Sequence, residues 1–513
     1  MAVSDDRKYT KAFVYKLLEG VKGKTLGEVD SSHQFSRTQK SEKITGIAGD
    51  VIEQSVFGYE RDSKQECDIE IDGVLTELKT TGVRVPKSDL KSVEGKTGEA
   101  YNVYLGAKEG ISITGVTFEP DIQHDFMTSH FWEKSEHLLI VFYEYKSYDV
   151  VPASEYAKFP IVDYCYNRFS DEERGKLQND WEIVRNYLQI IYAQYPTQEE
   201  RNENLQGFTH VLRPDLMLIE LVPGFKKRST GAYQKPRYRL KQTFVDYIVR
   251  GHFDKSRATT EVKLKESFSS FTQLDARCHT LAAKYKGMTF LQMKELFAID
   301  TEMSTKDFGA KCVLKMFDAD CARLNQISDF TKVGIIAKTI TITPTGGRTE
   351  DMKLKHIDFE EWADRNVDFE ESELYSYFCE HSFLCPVFCE QEAGDSSKTT
   401  FEGFKRFAFD EAFIENEVKR MWEDSRNLIH RNELEWEYIY DNQGNKRMNK
   451  SGSYMGAPNF PKSSEYEVFF RGGADVSTDE TRTEVVNGIK MLPQFFWLKG
   501  SYIADKLQTL SYL

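Results

Sequence analysis

The stretch Cys67-Asp68-Ile69-Glu70-Ile71-Asp72-Gly73-Val74-Leu75-Thr76-Glu77-Leu78-Lys79 holds two carboxylates and an ammonium that could share one task. Asp72-Gly73 is a favoured two-residue hairpin turn, and the alternation on either side of it predicts two short antiparallel strands. With Asp72 and Gly73 as the loop, Ile71 faces Val74, Glu70 faces Leu75, Ile69 faces Thr76, and Asp68 falls opposite Glu77. Lys79, two residues beyond Glu77, projects to the same face. Paired acids of this kind suit a hard divalent cation that keeps several waters and binds through one or two carboxylates and substrate phosphate oxygens, which describes Mg2+. Lys79 is placed to orient an attacking water or help deprotonate it. A bare Glu-x-Lys is common by chance and is more often an exposed ion-pair ladder, so its surroundings must decide.

The surroundings are those of a large enzyme. A chain of 513 residues predicts two to four domains, and 40% hydrophobic with 13% aromatic content can bury sizeable cores. No apolar run approaches a membrane span, and the opening Met1-Ala2-Val3-Ser4-Asp5-Asp6 has no hydrophobic signal stretch, so a cytoplasmic protein with no membrane partner is expected. The eight cysteines lack a Cys-x-x-Cys pair, which favours free thiols over a zinc site; Cys379, Cys385 and Cys389 beside His381 have poor metal spacing. Gly23-Lys24-Thr25 and Gly95-Lys96-Thr97 mimic the end of a phosphate loop but lack its earlier glycine. No His-Glu-x-x-His helix or Gly-x-Ser-x-Gly elbow occurs, which leaves a zinc protease or serine hydrolase without residues.

The net charge of −14 argues by itself against a nucleic-acid partner. Its distribution argues the other way. Between Phe225 and Lys241 stand Lys226, Lys227, Arg228, Lys235, Arg237, Arg239 and Lys241, with Tyr233 and Tyr238 interleaved and no acid among them. Such a run can grip a phosphate backbone, although alone it would read as a solvated basic face.

Several segments together resemble a known family. Gly46 to Phe57, which reads as a helix containing Glu53, then Asp68, then Glu77-Leu78-Lys79-Thr80, is similar to the catalytic core of MutH-like, GATC-specific endonucleases of the PD-(D/E)xK fold. Lys134 to Glu144 resembles the strand that brings the family's second lysine to its site, and Asp180-Trp181-Glu182 the helix that follows. Leu212-Arg213-Pro214 is similar to the base-reading loop, while Gly224-Phe225 and Tyr238-Arg239-Leu240-Lys241 resemble the last DNA-contacting elements. The likeness covers roughly residues 10 to 250. It implies that Asp68, Glu77 and the Leu78 carbonyl hold the metal, that Glu53 supports it, and that Lys134 stabilises charge on the phosphate. It further implies that Arg213 reads a base, with Asp215 and Tyr238 nearby. The Asp68 to Glu77 interval is about two residues longer than the family usually shows, which makes Asp72 a rival metal ligand; the hairpin register favours Asp68.

A long-period repeat is the second signal. Lys22-Gly23-Lys24-Thr25-Leu26 recurs as Lys286-Gly287-Met288-Thr289-Phe290, Gly49 to Phe57 as Gly309 to Phe317, Trp181-Glu182-x-x-Arg185-Asn186 as Trp422-Glu423-x-x-Arg426-Asn427, and Leu240-Lys241 as Leu498-Lys499. In this alignment Glu53 meets Val313, Glu77 meets Ile336, Lys134 meets Glu380, and Asp68 falls near Ile327-Ser328. A pocket without paired carboxylates cannot hold the metal. Lys338 persists, Arg471 answers Arg213, and Lys499 answers Lys241, so the second copy is expected to bind DNA without cutting it.

The expected fold is mixed α+β (α/β): two tandem MutH-like PD-(D/E)xK nuclease folds, a catalytic one over 1–254 and a catalytically degenerate one over 255–513, joined near Lys255 to Thr260. The expected function is a type II restriction endonuclease cutting double-stranded DNA at GATC with Mg2+. It would self-associate on DNA and be accompanied by a cognate adenine or cytosine methyltransferase. Alternatives are a strand-nicking repair endonuclease, disfavoured by the fused second copy, and a non-catalytic GATC-binding regulator, disfavoured by the intact acids.

Overall fold

The computed structural model describes residues 7–40, 44, 46–59, 66–86, 89–148, 151–224, 234–256, 261–348, 350–449, 452, 454–474, 476–478 and 480–513. The predicted hairpin forms. Strands β2 (Ile69–Ile71) and β3 (Val74–Arg84) pair with Ile69 opposite Thr76, Glu70 opposite Leu75 and Ile71 opposite Val74. Asp72 and Gly73 sit in the turn at φ of 49° and 83°, the positive values that a two-residue turn of this hand demands. Asp72 is therefore exposed at the tip.

From Glu77 onward β3 leaves its short partner and runs parallel to β6 (Leu138–Glu144), with Glu77 opposite Leu138. Strand β6 pairs antiparallel with β7 (Ile161–Asn167), β1 (Lys8–Tyr9) runs parallel to β2, and β4 (Gly106–Ala107) closes the far end of β3. Leu138 to Tyr143 are all buried, the continuous apolar run of a strand covered on both faces. One face receives the helix Ile47–Val51 and its wider-turned continuation Ile52–Phe57, bracketed by Gly46 and Gly58 at positive φ. Val51, Ile52, Val56 and Phe57 pack there against Leu78, Leu139 and Val141. The other face receives Asp171–Gln194, a helix started by a reciprocal Ser170 and Glu173 cap, which sets Trp181, Val184 and Leu188 in one core with Ile140 and Phe142.

A second sheet stands beside the first, with β9 (Arg237–Leu240) between β5 (Ile111–Gly115) and β8 (Ile219–Val222), all antiparallel. Asp180 on the long helix fastens it. Its buried carboxylate accepts the backbone N–H groups of Met217 (2.9 Å), Leu218 (2.7 Å) and Ile219 (3.1 Å).

The same pairing pattern recurs later in the chain. Strands β10 (Ile335–Ala337) and β11 (Ile340–Ile342) run parallel to β13 (Ser382–Cys389), which pairs antiparallel with β14 (Thr400–Ala408). Strand β20 (Gln494–Leu498) lies between β12 (Met352–His356) and β17 (Val468–Gly472), as β9 lies between β5 and β8.

The halves are packed into each other. One apolar cluster runs from Val83, Trp181 and Val245 to Phe271, Phe317, Phe330 and Phe404. Buried Lys332 pairs with Glu173 (3.1 Å) on the long helix and lies 4.3 Å from the Tyr247 ring centre. Arg257 to Thr260 of the expected linker lie outside the described residues. At the end of the helix Glu373–Glu380, Glu380 accepts the Thr243 N–H (3.2 Å) from the first half. Burial, reinforced by the Glu220 carboxylate, pushes Glu380 up to about 8, against the pull of Arg239 and Lys241. A carboxyl raised in the folded state favours folding fully below its unfolded value of about 4.5, and that contribution is lost as pH rises through about 8. Glu380→Gln should therefore melt progressively above the parent as pH goes from 5 to 9. A melting gap that does not change with pH would show that Glu380 stays ionised.

Candidate active site

The parting of β2 and β3 creates the site. Where β3 turns from its hairpin partner to β6, Asp68 reaches across and accepts the Leu78 N–H at 2.9 Å. Glu77 points to the same place, and its side chain is only 3% exposed. Lys79 Nζ donates to Glu77 Oε1 at 2.7 Å, and Lys134 Nζ donates to Oε2 at 2.9 Å. One buried carboxylate is thus gripped by two ammonium groups from different elements. Lys134 is delivered by the end of the short helix His130–Glu133, ahead of β6, rather than by the strand itself as expected from sequence. Glu53 comes from the overlying helix. A Cβ added to Gly49 would stand 3.8 Å from Glu53 Oε1 and 3.6 Å from Thr80 Oγ1, which puts the Glu53 carboxylate close to β3 just beyond Lys79.

The electrostatics are those of a crowded acidic pocket. Burial, then the Glu77 charge, pushes Asp68 up to about 6, although Lys79, Lys134 and the Leu78 N–H oppose the shift. Burial works against the Lys79 ammonium, but Glu77, Asp68 and Glu53 outweigh it and hold the lysine above its ordinary value. Two carboxylates that resist sharing a dry pocket fit a divalent cation, which would relieve their repulsion. Asp68, Glu77 and the Leu78 main chain are the groups that would hold it. No cluster of three or more His, Cys, Asp or Glu ligands occurs among the described residues.

Residues 57–180 match the family described as DNA mismatch repair enzyme MutH, a span that contains Asp68, Glu77, Lys79 and Lys134. The chain is also 26% identical over 439 residues to the type II restriction enzyme Sau3AI of Staphylococcus aureus, a match covering 81% of this chain and 79% of that protein. The chain is a DNA endonuclease with a MutH-like segment over residues 57–180. Nucleases of this kind use divalent metal ions, in keeping with the pocket. No helix among the described residues is long and apolar enough to cross a membrane.

Beyond the pocket, the residues expected to meet DNA fare unequally. Tyr238 is fully buried with its hydroxyl at Asp121, and Lys241 is 3% exposed with its ammonium on the Leu216 carbonyl. Both are corrected to interior supports of this MutH-like fold, because a side chain enclosed by the core cannot touch a phosphate. Arg213 is turned from solvent in this conformation. Its guanidinium pairs with Glu411 at 3.1 Å and lies 5.9 Å from the Tyr375 ring, both in the second half. Asp215 beside it is exposed. Lys226, Lys227 and Arg228 lie outside the described residues. Arg471 is exposed on β17, paired with Asp351 and 4.8 Å from the Trp497 ring, and half-exposed Lys499 precedes the helix Gly500–Thr509, 3.6 Å from Glu467.

One residue escaped the sequence reading. Tyr59 follows Gly58 at the end of the overlying helix, and its N–H donates to the Glu53 carbonyl at 3.3 Å. Its hydroxyl is buried without a hydrogen-bond partner, and burial together with the charges of Asp68 and Glu53 holds it far above the usual tyrosine range. An aromatic after a glycine carries no chemical signature in a sequence; only the fold shows the orphaned donor beside the acids. Tyr59→Phe removes an unsatisfied buried group, so the metal-free protein should be more stable by about 1 kcal/mol. Turnover should fall roughly fivefold with KM unchanged if that hydroxyl orders a water at the carboxylates. Unchanged turnover would make Tyr59 packing alone.

Proposed function

We propose that this chain is a type II restriction endonuclease that hydrolyses both strands of DNA at GATC with Mg2+, and that its second half is a non-cleaving copy that holds another site. The observation that carries the reading is the convergence of Asp68, Glu77, Lys79 and Lys134 at the mouth of the parallel strand pair. When bound, Mg2+ would polarise a phosphoryl oxygen and lower the pKa of a coordinated water. The chain's own groups do the rest. Lys79 places the attacking water, Lys134 faces the charge that grows on the phosphate, and Glu53 and Tyr59 line the far wall. Pre-placed positive charge aimed at developing negative charge is usually the largest catalytic contribution.

GATC as the target rests on the resemblance to GATC-specific endonucleases, and restriction on the likeness to Sau3AI, a type II restriction enzyme. A cytoplasmic enzyme with this activity needs a cognate adenine or cytosine methyltransferase to shield the host's own sites. The second half as a copy is supported by the recurrence of both strand arrangements, and its inability to cut by Ile336 where Glu77 stands and Glu380 where Lys134 stands.

Glu77→Gln keeps the shape of the buried side chain and removes its charge, whereas alanine would also strand two ammonium groups and cost roughly 3–5 kcal/mol of stability. The glutamine variant should lose plasmid cleavage in magnesium while still binding a GATC duplex in calcium. Lys134→Ala should cut about 10²–10³-fold more slowly. Linear fragments from the parent protein support restriction, nicked circles would point to repair-type nicking, and a gel shift without cleavage would point to a regulator. Because a proton and the cation compete for Asp68, the Mg2+ concentration needed for half-maximal cutting should rise as pH falls through about 6; a requirement that holds steady down to pH 5 would remove Asp68 from the ligand set.

A further inference from the structure

The second half carries a surface feature that the proposed cleavage chemistry does not use. Strands β15 (Trp436–Tyr438) and β16 (Gly456–Pro458) form the base of a projecting hairpin. Its chain doubles back through the bridges Tyr440 to Lys446 and Met448 to Tyr454. Tyr440, Met448 and Tyr454 are each more than half exposed, an unusual density of large apolar side chains for one small hairpin. Beside it lies a second hairpin, β18 (Glu484–Val486) with β19 (Ile489–Met491). Between the two opens a cavity of about 310 Å3 lined by Trp436, Tyr438, Tyr454, Arg482, Ile489 and Lys490.

The lining joins ring faces to positive charge. Tyr438 and Tyr454 stand nearly perpendicular, 6.1 Å between centres, and Lys446 Nζ lies 3.5 Å from the first ring centre and 5.6 Å from the second. The Arg482 guanidinium lies 4.6 Å from the Trp436 ring. Among the described residues no acid lines the cavity, and two nearby carboxylates are engaged elsewhere: Glu437 with Lys462, and Asp441 with the backbone of its own turn at Gln443 and Asn445. The place in the chain is also telling. Residues 431–467 stand between the helix Lys419–His430 and β17 as residues 195–218 stand between the helix Asp171–Gln194 and β8. Residues 473–493 stand between β17 and β20 as 223–236, with their cluster of Lys and Arg, stand between β8 and β9.

We infer that this cavity receives an unstacked nucleobase of a DNA strand, its rings stacking on Trp436, Tyr438 or Tyr454 while Lys446, Arg482 and Lys490 take the adjoining phosphates. The inference rests on the reading of the second half as a DNA-binding unit and names the surface that does the binding. Base-to-aromatic stacking tolerates any base, and the phosphate contacts add affinity that falls with salt. The size suits one base, at the small end of ligand cavities. A protein partner without acids would also cover the exposed tyrosines but would leave Lys446, Arg482 and Lys490 unmatched.

The full-length protein in calcium, titrated into a short labelled oligo(dT) strand and separately into a blunt GATC duplex, tests this. The parent should bind oligo(dT), the double variant Tyr438→Ala, Tyr454→Ala should bind it at least about tenfold more weakly, and Lys490→Ala should flatten the salt dependence. These exposed positions leave the cores untouched, and an unchanged melting curve verifies that. Equal oligo(dT) affinity in parent and double variant would overturn the inference. In that event the double variant Arg471→Ala, Lys499→Ala separates the two levels: loss of a second duplex there leaves the second half DNA-binding by another surface, and no loss removes that reading as well.

Discussion

Everything at the pocket depends on keeping the Glu77 carboxylate charged inside protein. A buried anion survives only with partners, and here two ammonium groups take one oxygen each. That requirement fixes three elements at once: β3 must carry Lys79 two residues on, the short helix must end at Lys134, and β6 must start soon afterwards in parallel register. The parallel pairing makes this possible, since it turns β3 away from its hairpin partner at Glu77 and lets Asp68 close over the gap onto the Leu78 N–H. Asp68, squeezed against Glu77, is left with an affinity for protons that a metal ion would replace.

The contacts between the halves are of the same physical kind but serve a different end. Where Lys134 ends a helix in the first half, Glu380 ends one in the second, and it faces Thr243, Arg239 and Lys241 across the joint. On the reading of two copies, one structural position has been turned from charge stabilisation to attachment. Arg213 shows the reverse side of this economy, since its guanidinium is occupied by Glu411 and Tyr375 across the same joint.

Much of the catalytic geometry was legible in the sequence because it is local. Asp72-Gly73 sets the turn, the turn sets the register, and the register sets Asp68 beside Glu77. The long helix around Trp181 and the strand beginning near Leu138 were legible through their resemblance to the family, and the Ser170 cap and the buried run Leu138 to Tyr143 give the physical reason they form. What could not be read was burial at a distance. Tyr238 and Lys241 look like ideal DNA contacts within a basic run, yet both point inward: alternation along β9 turns Tyr238 into the core, and Lys241, just past the strand, is drawn in by the Leu216 carbonyl and the Asp180 charge. The Arg213 contact depends on how two remote segments meet, and the orphaned Tyr59 hydroxyl depends on a helix lying over a sheet. None of these has a signature in residue spacing.

The carboxyl end of Glu373–Glu380 bears on how such a chain could change over time. On the reading of two copies, a lysine at 380 would not make a second cutting centre, since it would set a third cation beside Arg239 and Lys241. On that reading, attachment through Glu380 and a lysine's task at the same position exclude one another, so charge repulsion at the joint stands against a twin-bladed enzyme.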